Sequence, residues 1–408
     1  MHLRYRYRIE PTDGQRQALA RAFGCARVVY NDGLRLREGA YKAGLPFIAD
    51  GELMRLVTTE AKKTPERMWL TNVSAVVLQQ SVADLHRAYR NYFRALAESR
   101  AAHFVGERAS LRVRRPRFKS KHDCQAIRFT ANSRFLVLPN GRLRLPKVGN
   151  VRIRWSRPIP GEPSSVTVTL DRAGRYHASF VVDVDGALLP VAEGAVGIDL
   201  GLANFAALST GEKVANPRWL RQREKALRRS QRNMSRKQKG SENQEKARRR
   251  LARQHAKVAD ARRDFHHQLS TRLVRENQVV CVETLNVAAL GRSKLAKSLT
   301  DAGWGEFSRM LEYKAVMAGR TLVKVDRWYP SSQLCSGCGA RSGPKGWTGL
   351  HLRTWTCSQC GIVHDRDVNA AKNILAAGRA VAACGPDVRP GPSRVVGDEA
   401  GTTSAVAV

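Results

Sequence analysis

The chain has 408 residues, of which 71 are Lys or Arg and 35 are Asp or Glu, giving a formal net charge of +36. This length predicts two or three domains, and the charge predicts a polyanionic partner, with nucleic acid favoured over an anionic membrane surface. No run of about 18 apolar residues is present and the charged start does not resemble a signal peptide, so we expect no membrane association.

Two amphipathic helices are predicted in the first hundred residues. The first opens at Thr12 and Asp13, a helix-capping pair, and the second spans residues 74–98. The apolar stripe of the first helix is Leu19, Phe23, Ala26 and Tyr30. That of the second is Leu78, Val82, Leu85, Tyr89, Tyr92 or Phe93, and Leu96. We expect the two stripes to pack together as a core.

A basic segment follows, "RVRRPRFKSK" at 112–121, with six Lys or Arg and no acid. We interpret it as an extended strap that contacts phosphates, while a solvated charge run is the alternative. The candidate contacts are Arg112, Arg114, Arg115, Arg117 and Lys119.

Between about 126 and 185 the apolar residues alternate with polar ones, which predicts strands in a small β-barrel or sheet. The segment "VDGALLPVAEG" then reads as a linker to a second half of different composition. There, "AVGIDLGLANFAALSTG" predicts a buried strand, a glycine and a second strand.

A long polar helical pair is predicted over 218–263, with "KGSEN" as its turn. It contains eighteen Lys or Arg and only four acids, so we expect it to grip a phosphate backbone rather than pack in a core. The candidate contacts are Arg228, Arg229, Arg232, Arg236 and Lys237. A strand, a helix, another strand and a last helix near 367–378 follow, and the Gly- and Pro-rich end is expected to be disordered.

Four cysteines, in the pattern C-x2-C-x18-C-x2-C, predict one metal site. They are Cys335, Cys338, Cys357 and Cys360. Four thiolates form the closed tetrahedral set of structural zinc, and the residues between the pairs fit a zinc ribbon. Redox-active pairs are the alternative, but they would need a thioredoxin-like context that the sequence lacks. The other cysteines are isolated, which fits a reducing compartment.

Carboxylates predict a second, harder metal site. Asp199 interrupts the apolar strand "AVGIDLGLA" and Glu283 interrupts "VVCVETL", where an unpaired charge is costly. A third acid would come from the Asp365-Arg366-Asp367 segment, in which Asp367 has the alternative role of capping the last helix. Three carboxylates suit magnesium and phosphodiester cleavage by two metal ions, which favours a nuclease of ribonuclease H-like fold.

The segments "GIDLGLANFA", "VVCVETLNV", "DAGWGEF", "PSSQLCSGCG", "RTWTCSQCG" and "HDRDVNAAKNIL", with "CARVVYN" and "YRNYFRA", resemble the TnpB family. Its members are RNA-guided DNA endonucleases of insertion sequences and relatives of type V CRISPR effectors. The resemblance covers nearly the whole chain to about residue 380. It implies a magnesium-dependent RuvC-type nuclease with catalytic Asp199, Glu283 and Asp367, choosing Asp367 over Asp365.

The resemblance also implies a multidomain α+β architecture. It places a wedge-type β-barrel at 1–10 and 110–187, with an inserted helical recognition domain at 11–109. The RuvC-like domain would span 194–330 and 362–380, with a zinc ribbon that binds target nucleic acid at 331–361 and a disordered tail at 381–408. Gln79 and Thr130 fall where the family reads the DNA motif beside the target.

The implied partners are a guide RNA from the transposon end and double-stranded target DNA, with one protein chain per RNA, in the prokaryotic cytoplasm at the nucleoid. Three alternatives stay open: a nuclease-inactive RNA-guided repressor, a DNA-binding auxiliary transposition protein and a nonspecific nucleic-acid chaperone. The repressor would be expected to have lost one of the three acids, and all three are present.

Overall fold

A computed structural model describes the chain over residues 1–104, 113–186, 188–285, 295–345, 349 and 351–383. Arg112 of the predicted strap and residues 384–408 of the predicted tail lie outside these residues. The chain divides into two compact units at Val184 and Asp185, and each is described by itself. None of the helices described is long and apolar enough to cross a membrane.

The first unit contains a curled antiparallel sheet of seven strands, a half-barrel. Its strands are β1 (His2–Glu10), β2 (Gln125–Thr130), β3 (Leu136–Val137), β4 (Arg142–Leu145), β5 (Gly149–Arg154), β6 (Pro163–Leu170) and β7 (Tyr176–Asp183). Their order is β2-β6-β7-β1-β5-β4-β3, so the first strand of the chain lies in the middle of the sheet. The predicted alternation is confirmed, since Leu143, Leu145, Val151 and Ile153 are all buried.

Helices cover the buried face of this sheet. They are α1 (Asp13–Lys42), α2 (Asp50–Met54) and α3 (Ala75–Phe104), with a π-helix at Arg55–Glu60 and 3-10 turns at Ala61–Lys63, Met68–Asn72 and Ala131–Ser133. Thr12 caps α1, because its hydroxyl accepts from the Gln15 amide while the Gln15 side chain accepts from the Thr12 amide. The Ser81 hydroxyl donates to the Ala26 carbonyl at 2.6 Å, joining α3 to α1 inside the core.

The predicted stripe of α1 is buried throughout, whereas that of α3 is only half correct. Leu78, Val82 and Leu85 are fully buried, but Phe93 is 48% exposed. The reason is that α3 extends to Phe104, so that its C-terminal half carries the same helical period beyond the core. Periodicity alone therefore overestimated the length of the packed face.

The second unit is built on a five-stranded mixed sheet of order β10-β9-β8-β11-β12. Its strands are β8 (Ala195–Leu200), β9 (Asn204–Leu208), β10 (Lys213–Ala215), β11 (Val279–Glu283) and β12 (Thr321–Val325). Strands β8, β11 and β12 run parallel, while β9 and β10 are antiparallel to their neighbours. Strands β8 and β11 are buried and apolar along most of their length, as strands are when both faces are covered, whereas the edge strand β12 exposes Thr321 and Lys324.

Five helices accompany this sheet in the described residues: α4 (Trp219–Ser235), α5 (Glu242–Glu276), α6 (Ala296–Ala302), α7 (Trp304–Ala318) and α8 (Arg366–Ala383). Helix α8 passes very close to β8, which explains why residue 197 is a glycine. A Cβ atom at Gly197 would lie 2.1 Å from the Ala371 carbonyl oxygen. Because α8 runs to Ala383, it includes residues 381–383 of the predicted tail.

The predicted basic pair of helices is confirmed as α4 and α5. Of the predicted turn "KGSEN", residues 239–241 lie between the helices, while Glu242 and Asn243 begin α5. Ser241 caps α5 by accepting from the Gln244 amide. Helix α5 extends beyond the predicted end at 263, and most of its buried apolar residues, Leu269, Leu273 and Val274, lie in its last third, with Val258 buried nearer its middle. The basic part of the hairpin is therefore left with little apolar burial.

Candidate active site and metal centre

The four cysteines come together in the second unit. Their sulfur atoms all lie within 4.8 Å of one another, with Cys335 to Cys360 at 3.6 Å and Cys338 to Cys357 at 3.7 Å. The strands β13 (Thr354–Thr356) and β14 (Val363–Asp365) form the hairpin that presents the second pair.

Both cysteine pairs adopt the same turn. The Gly339 amide donates to the Cys335 carbonyl, and the Gly361 amide donates to the Cys357 carbonyl, each glycine four residues after its cysteine. Both glycines have positive φ, 75° and 72°, a conformation that a side chain disfavours. The repeated turn points all four sulfur atoms to one place, as a single tetrahedral ion requires.

The surroundings shift the thiols of the cluster in opposite directions. Against a hydrogen bond from the Ile362 backbone, burial and the neighbouring cysteines raise the pKa of Cys360 to about 12, whereas the pKa of Cys357 is lowered. The Ser342 hydroxyl donates to the Cys357 sulfur at 3.2 Å and, with nearby backbone N–H groups, lowers the pKa of that thiol to about 5.

Behind the cluster, buried His364 lies 3.0 Å from the Cys335 sulfur through Nε2 and packs on Trp355. An all-sulfur donor set of this size fits zinc. Ser342 and His364 were not predicted from the sequence.

Two of the predicted acids sit side by side at the carboxyl ends of β8 and β11. Ile198 is the register partner of Val282, so Asp199 and Glu283 are the next residues of the two parallel strands. The Leu200 amide donates to Glu283 Oε1 at 3.3 Å and holds this carboxylate against β8. Both side chains keep partial exposure to solvent, so a ligand can reach them.

The charges of these acids are mutually unfavourable. Burial raises the pKa of Asp199 well above its usual range, and the negative charges of Glu283 and Asp367 raise it further. The positive charge of Arg366 opposes this shift without cancelling it. Burial raises the pKa of Glu283 to about 7 against the opposing Leu200 hydrogen bond. Such a pair is expected where a cation is bound, because the cation removes the repulsion.

Asp367 lies in the first turn of α8, where Arg353 Nη1 contacts its carboxylate at 3.5 Å. The negative charge of Asp367 contributes to the raised pKa of Asp199, so the two side chains interact. The three carboxylates are nevertheless not grouped as closely as the four sulfur atoms. In the described ranges, the four cysteines are the only group of three or more His, Cys, Asp or Glu side chains placed to hold one metal ion. Asp367 thus borders the Asp199 and Glu283 pair without closing on it.

Asp365 caps α8, which is the alternative role that the sequence analysis gave to Asp367. Its Oδ1 accepts from the Val368 amide at 3.0 Å, and its Oδ2 lies 2.5 Å from Lys213 Nζ. Burial raises the pKa of Asp365, but Lys213 and the backbone N–H groups outweigh it and lower the value overall. Because the carboxylate of Asp365 is engaged by Lys213 and the helix cap, Asp367 is the acid of this segment that can face Asp199 and Glu283.

The predicted nucleic-acid contacts occupy several surfaces. Gln79 is exposed on α3 and Thr130 ends β2, a strand against which α3 packs. In the strap, Arg114 and Arg117 are exposed, while Arg115 lies over the Tyr41 ring and Lys119 over the Tyr30 ring. On the hairpin all five candidates are exposed, and Arg228 pairs with Glu224.

The half-barrel carries a basic face that the sequence analysis did not single out. In the register of the sheet, Arg8 lies opposite Arg154, and Arg152 lies between Arg142 and Glu10. The exposed members are Arg6, Arg8, Arg142, Arg144, Arg152 and Arg154. The signal was present as alternating arginines in "RYRYRIE", "RLRL" and "RIR", but only the apolar half of that alternation had been used.

Comparison with known proteins agrees with these features. Three family models match the sequence: "Probable transposase" over residues 179–294, "Cas12f1-like, TNB domain" over 304–374 and "Helix-turn-helix domain" over 1–45. The last of these regions forms the strand β1 and the single long helix α1 here.

A Streptomyces pristinaespiralis protein named "Putative RNA-guided DNA endonuclease" is 44% identical over 393 residues, 95% of this chain and 92% of that protein. "Putative RNA-guided DNA endonuclease InsQ" of Escherichia coli K12 is 32% identical over 405 residues, 95% of each chain. In fold, the chain resembles a protein of the "Cas12f1-sgRNA-target DNA complex", with a TM-score of 0.52, 14% identity, and coverage of 88% and 82%. The resemblance read from the motifs is confirmed, and the chain belongs to the TnpB family.

Proposed function

We propose that this protein is an RNA-guided DNA endonuclease of an insertion sequence, which cleaves target DNA beside a short adjacent motif. The observation that carries the proposal is the pairing of Asp199 and Glu283 on adjacent parallel strands, with Asp367 on the helix laid across β8. The names of the full-length relatives support the same activity.

The carboxylates fit magnesium by their chemistry. All three donors are oxygen atoms and retain access to solvent; burial and the charges of Glu283 and Asp367 raise the pKa of Asp199, and burial raises the pKa of Glu283. We infer that Asp199, Glu283 and Asp367 hold Mg²⁺ as a RuvC-type site. When bound, Mg²⁺ supplies Lewis-acid activation of water and stabilisation of the leaving oxygen.

The chain's own residues fix this site before any substrate arrives. The Leu200 amide orients Glu283, and the Asp365 cap fixes the first turn of α8, which carries Asp367. Arg353 and Arg366 add positive charge beside the acids. Fixed donors of this kind avoid a reorganisation cost during the reaction.

The cysteine cluster is assigned a structural role. Its four sulfur donors leave no open position for a substrate once zinc is bound, in contrast to a catalytic zinc site. We infer that residues 331–361 form a zinc ribbon that contacts target nucleic acid next to the carboxylates.

Nucleic-acid binding is assigned mainly to basic surfaces. We infer that 1–10 and 110–187 act as the wedge, and that 11–109 acts as the recognition domain, with Gln79 and Thr130 at the adjacent motif. The strap, the hairpin and the basic sheet face would hold the guide RNA and its duplex with DNA through the phosphate backbone. The RuvC-like domain would span 194–330 and 362–380, with one chain per guide RNA.

The test is cleavage of a plasmid by the full chain purified with its own RNA, in the presence of Mg²⁺. Asp199→Ala should abolish cleavage and leave target binding intact. The matched control is Asp264→Ala, because Asp264 is an exposed acid on α5 and belongs to neither candidate metal site. Cleavage by Asp199→Ala at the parental rate would refute the nuclease.

The alternative function is RNA-guided DNA binding without cleavage, as in a repressor or an auxiliary transposition protein. The presence of all three acids favours the nuclease over this alternative. The same assay separates them, since a repressor would bind the target and leave it intact. A nonspecific chaperone would bind without any dependence on the guide sequence.

A further inference from the structure

Helix α8 carries two buried asparagines one turn apart, and nothing in the proposed chemistry uses them. Asn369 and Asn373 are 1% and 5% exposed. A spacing of four residues places both side chains on one face of a helix. Buried amides are costly unless they are hydrogen-bonded, so their partners define their role.

Their partners are the backbone groups that flank a cysteine. The Asn369 side chain accepts from the Ser336 amide at 2.9 Å and donates to the Leu334 carbonyl at 2.7 Å. Asn373 donates to the Leu334 and Ser331 carbonyls, both at 2.7 Å. The two asparagines thus grip the residues immediately before and after Cys335, and we name this arrangement the asparagine clamp.

The second cysteine pair reaches the same helix through the chain itself. β14 ends at Asp365 and α8 begins at Arg366, with no residue between them. The Arg366 amide also donates to the Arg353 carbonyl at 2.8 Å, just before β13. Cys335 is therefore joined to α8 by side chains, and Cys360 is joined to it by a short covalent path.

These connections end at the acid of the candidate active site. Asn369 is two residues from Asp367, and α8 cannot shift freely along β8, because Gly197 lets the two backbones touch. A metal ion held by the four sulfur atoms would fasten both cysteine turns to each other, and through them to the start of α8.

We propose that Asn369 and Asn373 are positioning residues that couple metal occupancy of the cysteine cluster to the placement of Asp367 beside Asp199. This inference rests on the proposed nuclease and zinc site, but its first consequence concerns metal retention. Thermodynamic coupling between binding equilibria is reciprocal, so loosening the clamp should weaken zinc binding. Displacing Asp367 should separately slow cleavage. Partners of metal ligands are worth about 10- to 100-fold in metal affinity or activity.

The experiment uses the full chain with its co-purified RNA and follows three readouts. These are zinc release to a chromophoric chelator, amide exchange over 366–370, and the cleavage rate at saturating target. The variants are Asn369→Ala and Asn373→Ala, with Asn369→Asp retaining the acceptor. Lys372→Ala is the matched control, because Lys372 is exposed between the two asparagines.

We expect the alanine variants to release zinc about tenfold faster or more and the aspartate variant to lie between them and the parent. Zinc-loaded Asn369→Ala should exchange its 366–370 amides as fast as the zinc-stripped parent and cleave more slowly at unchanged target affinity. If both alanine variants release zinc and exchange their 366–370 amides at the rates of the parent protein, the clamp is refuted. Faster release with parental exchange and cleavage would overturn its coupling to Asp367.

The two proposals fail in different ways. A parent that does not cleave contradicts the nuclease, while zinc release and amide exchange still decide the clamp. If an alanine variant fails to fold, zinc release from Asn369→Asp decides instead: release at the parental rate overturns the clamp.

Discussion

The Leu200 amide reaches across from β8 to Glu283 on β11, at 3.3 Å, and thereby holds Glu283 next to the carboxylate of Asp199. Like charges held together in a partly buried site destabilise the fold in the absence of a cation. The arrangement therefore favours ligand binding over stability, and this has a measurable consequence.

Asp199→Asn should raise the melting temperature in Mg²⁺-free buffer while abolishing cleavage. Removing one charge relieves the repulsion with Glu283, and a gain of about 1 kcal/mol corresponds to about 2–4 °C for a unit of this size. Differential scanning fluorimetry measures the change. Asp301→Ala provides the contrast, because Asp301 accepts from the Leu220 amide at 2.8 Å and its loss should lower the melting temperature. A lower melting temperature for Asp199→Asn would contradict this account.

Metal analysis should find about one zinc per chain, and Cys335→Ser or Cys357→Ser should reduce this content and the melting temperature together. Ligand loss has this effect because zinc binding to a site formed on folding stabilises the fold. Cys124→Ser is the control, since Cys124 is an exposed thiol in the other unit. A folded parent without zinc would remove the ribbon assignment.

The first unit should lose stability in mild acid. Burial, followed by the charge of Arg6, lowers the pKa of His177 from 6.5 to about 4, and Arg6 lies 3.0 Å from its Nδ1. As the pH decreases, His177 is protonated in the unfolded chain before it is protonated in the folded protein. The contribution of neutral His177 to the free energy of unfolding is therefore fully present above pH 6.5 and is lost as the pH decreases towards 4. His177→Gln should flatten the decline of the urea midpoint between pH 6.5 and 4.5. An equally steep decline in the variant would show that other groups cause it.

Neutralising the basic sheet face should weaken nucleic-acid binding at all sequences alike. Arg142→Gln combined with Arg144→Gln should reduce the slope of log affinity against log salt by about one to two. Filter binding of the co-purified RNA at several salt concentrations measures it. Arg16→Gln is the control, because Arg16 is exposed on α1 and pairs locally with Asp13. An unchanged slope would exclude this face from binding.

Gly197→Ala should destabilise the second unit by about 1–3 kcal/mol, the range for overpacking. Its Cβ would meet the Ala371 carbonyl at 2.1 Å, and a helix backbone cannot rotate aside as a side chain can. Gly14→Ala is the matched control, because a Cβ there has no heavy atom within 4 Å. Urea unfolding measures both, and similar midpoints for the two variants would argue against the close approach of α8.

Local chemistry made several features predictable. The four cysteines were identified because their spacing encodes two identical turns, and Asp199 and Glu283 because each is an acid in an apolar strand. The basic hairpin was evident from its composition alone. In each case the signal lies in neighbouring residues, where sequence order and spatial order agree.

Other features depend on contacts between distant segments. The choice between Asp365 and Asp367 was left open by capping chemistry, because the partner of Asp365, Lys213, is 152 residues away. His364 and the asparagine clamp were missed because their partners lie around Cys335, in the first cysteine turn, 29 to 42 residues earlier in the chain. The exposed end of α3 was assigned to the core because helical periodicity does not report where the opposite surface stops.

The junction of β14 and α8 also limits how this region can change in length. Strand passes directly into helix between Asp365 and Arg366, so no loop is available to absorb an added residue. One residue inserted in the first turn of α8, between Asp367 and Asn369, would rotate the residues before it by about 100° around the helix axis relative to the residues after it. Either Asp367 would face away from Asp199, or Asn369 would lose its hydrogen bonds to Leu334 and Ser336 on either side of Cys335. The seven-residue spacing from Cys360 to Asp367, and the step from Asp367 to Asn369, are therefore constrained as strongly as the identity of the residues in them.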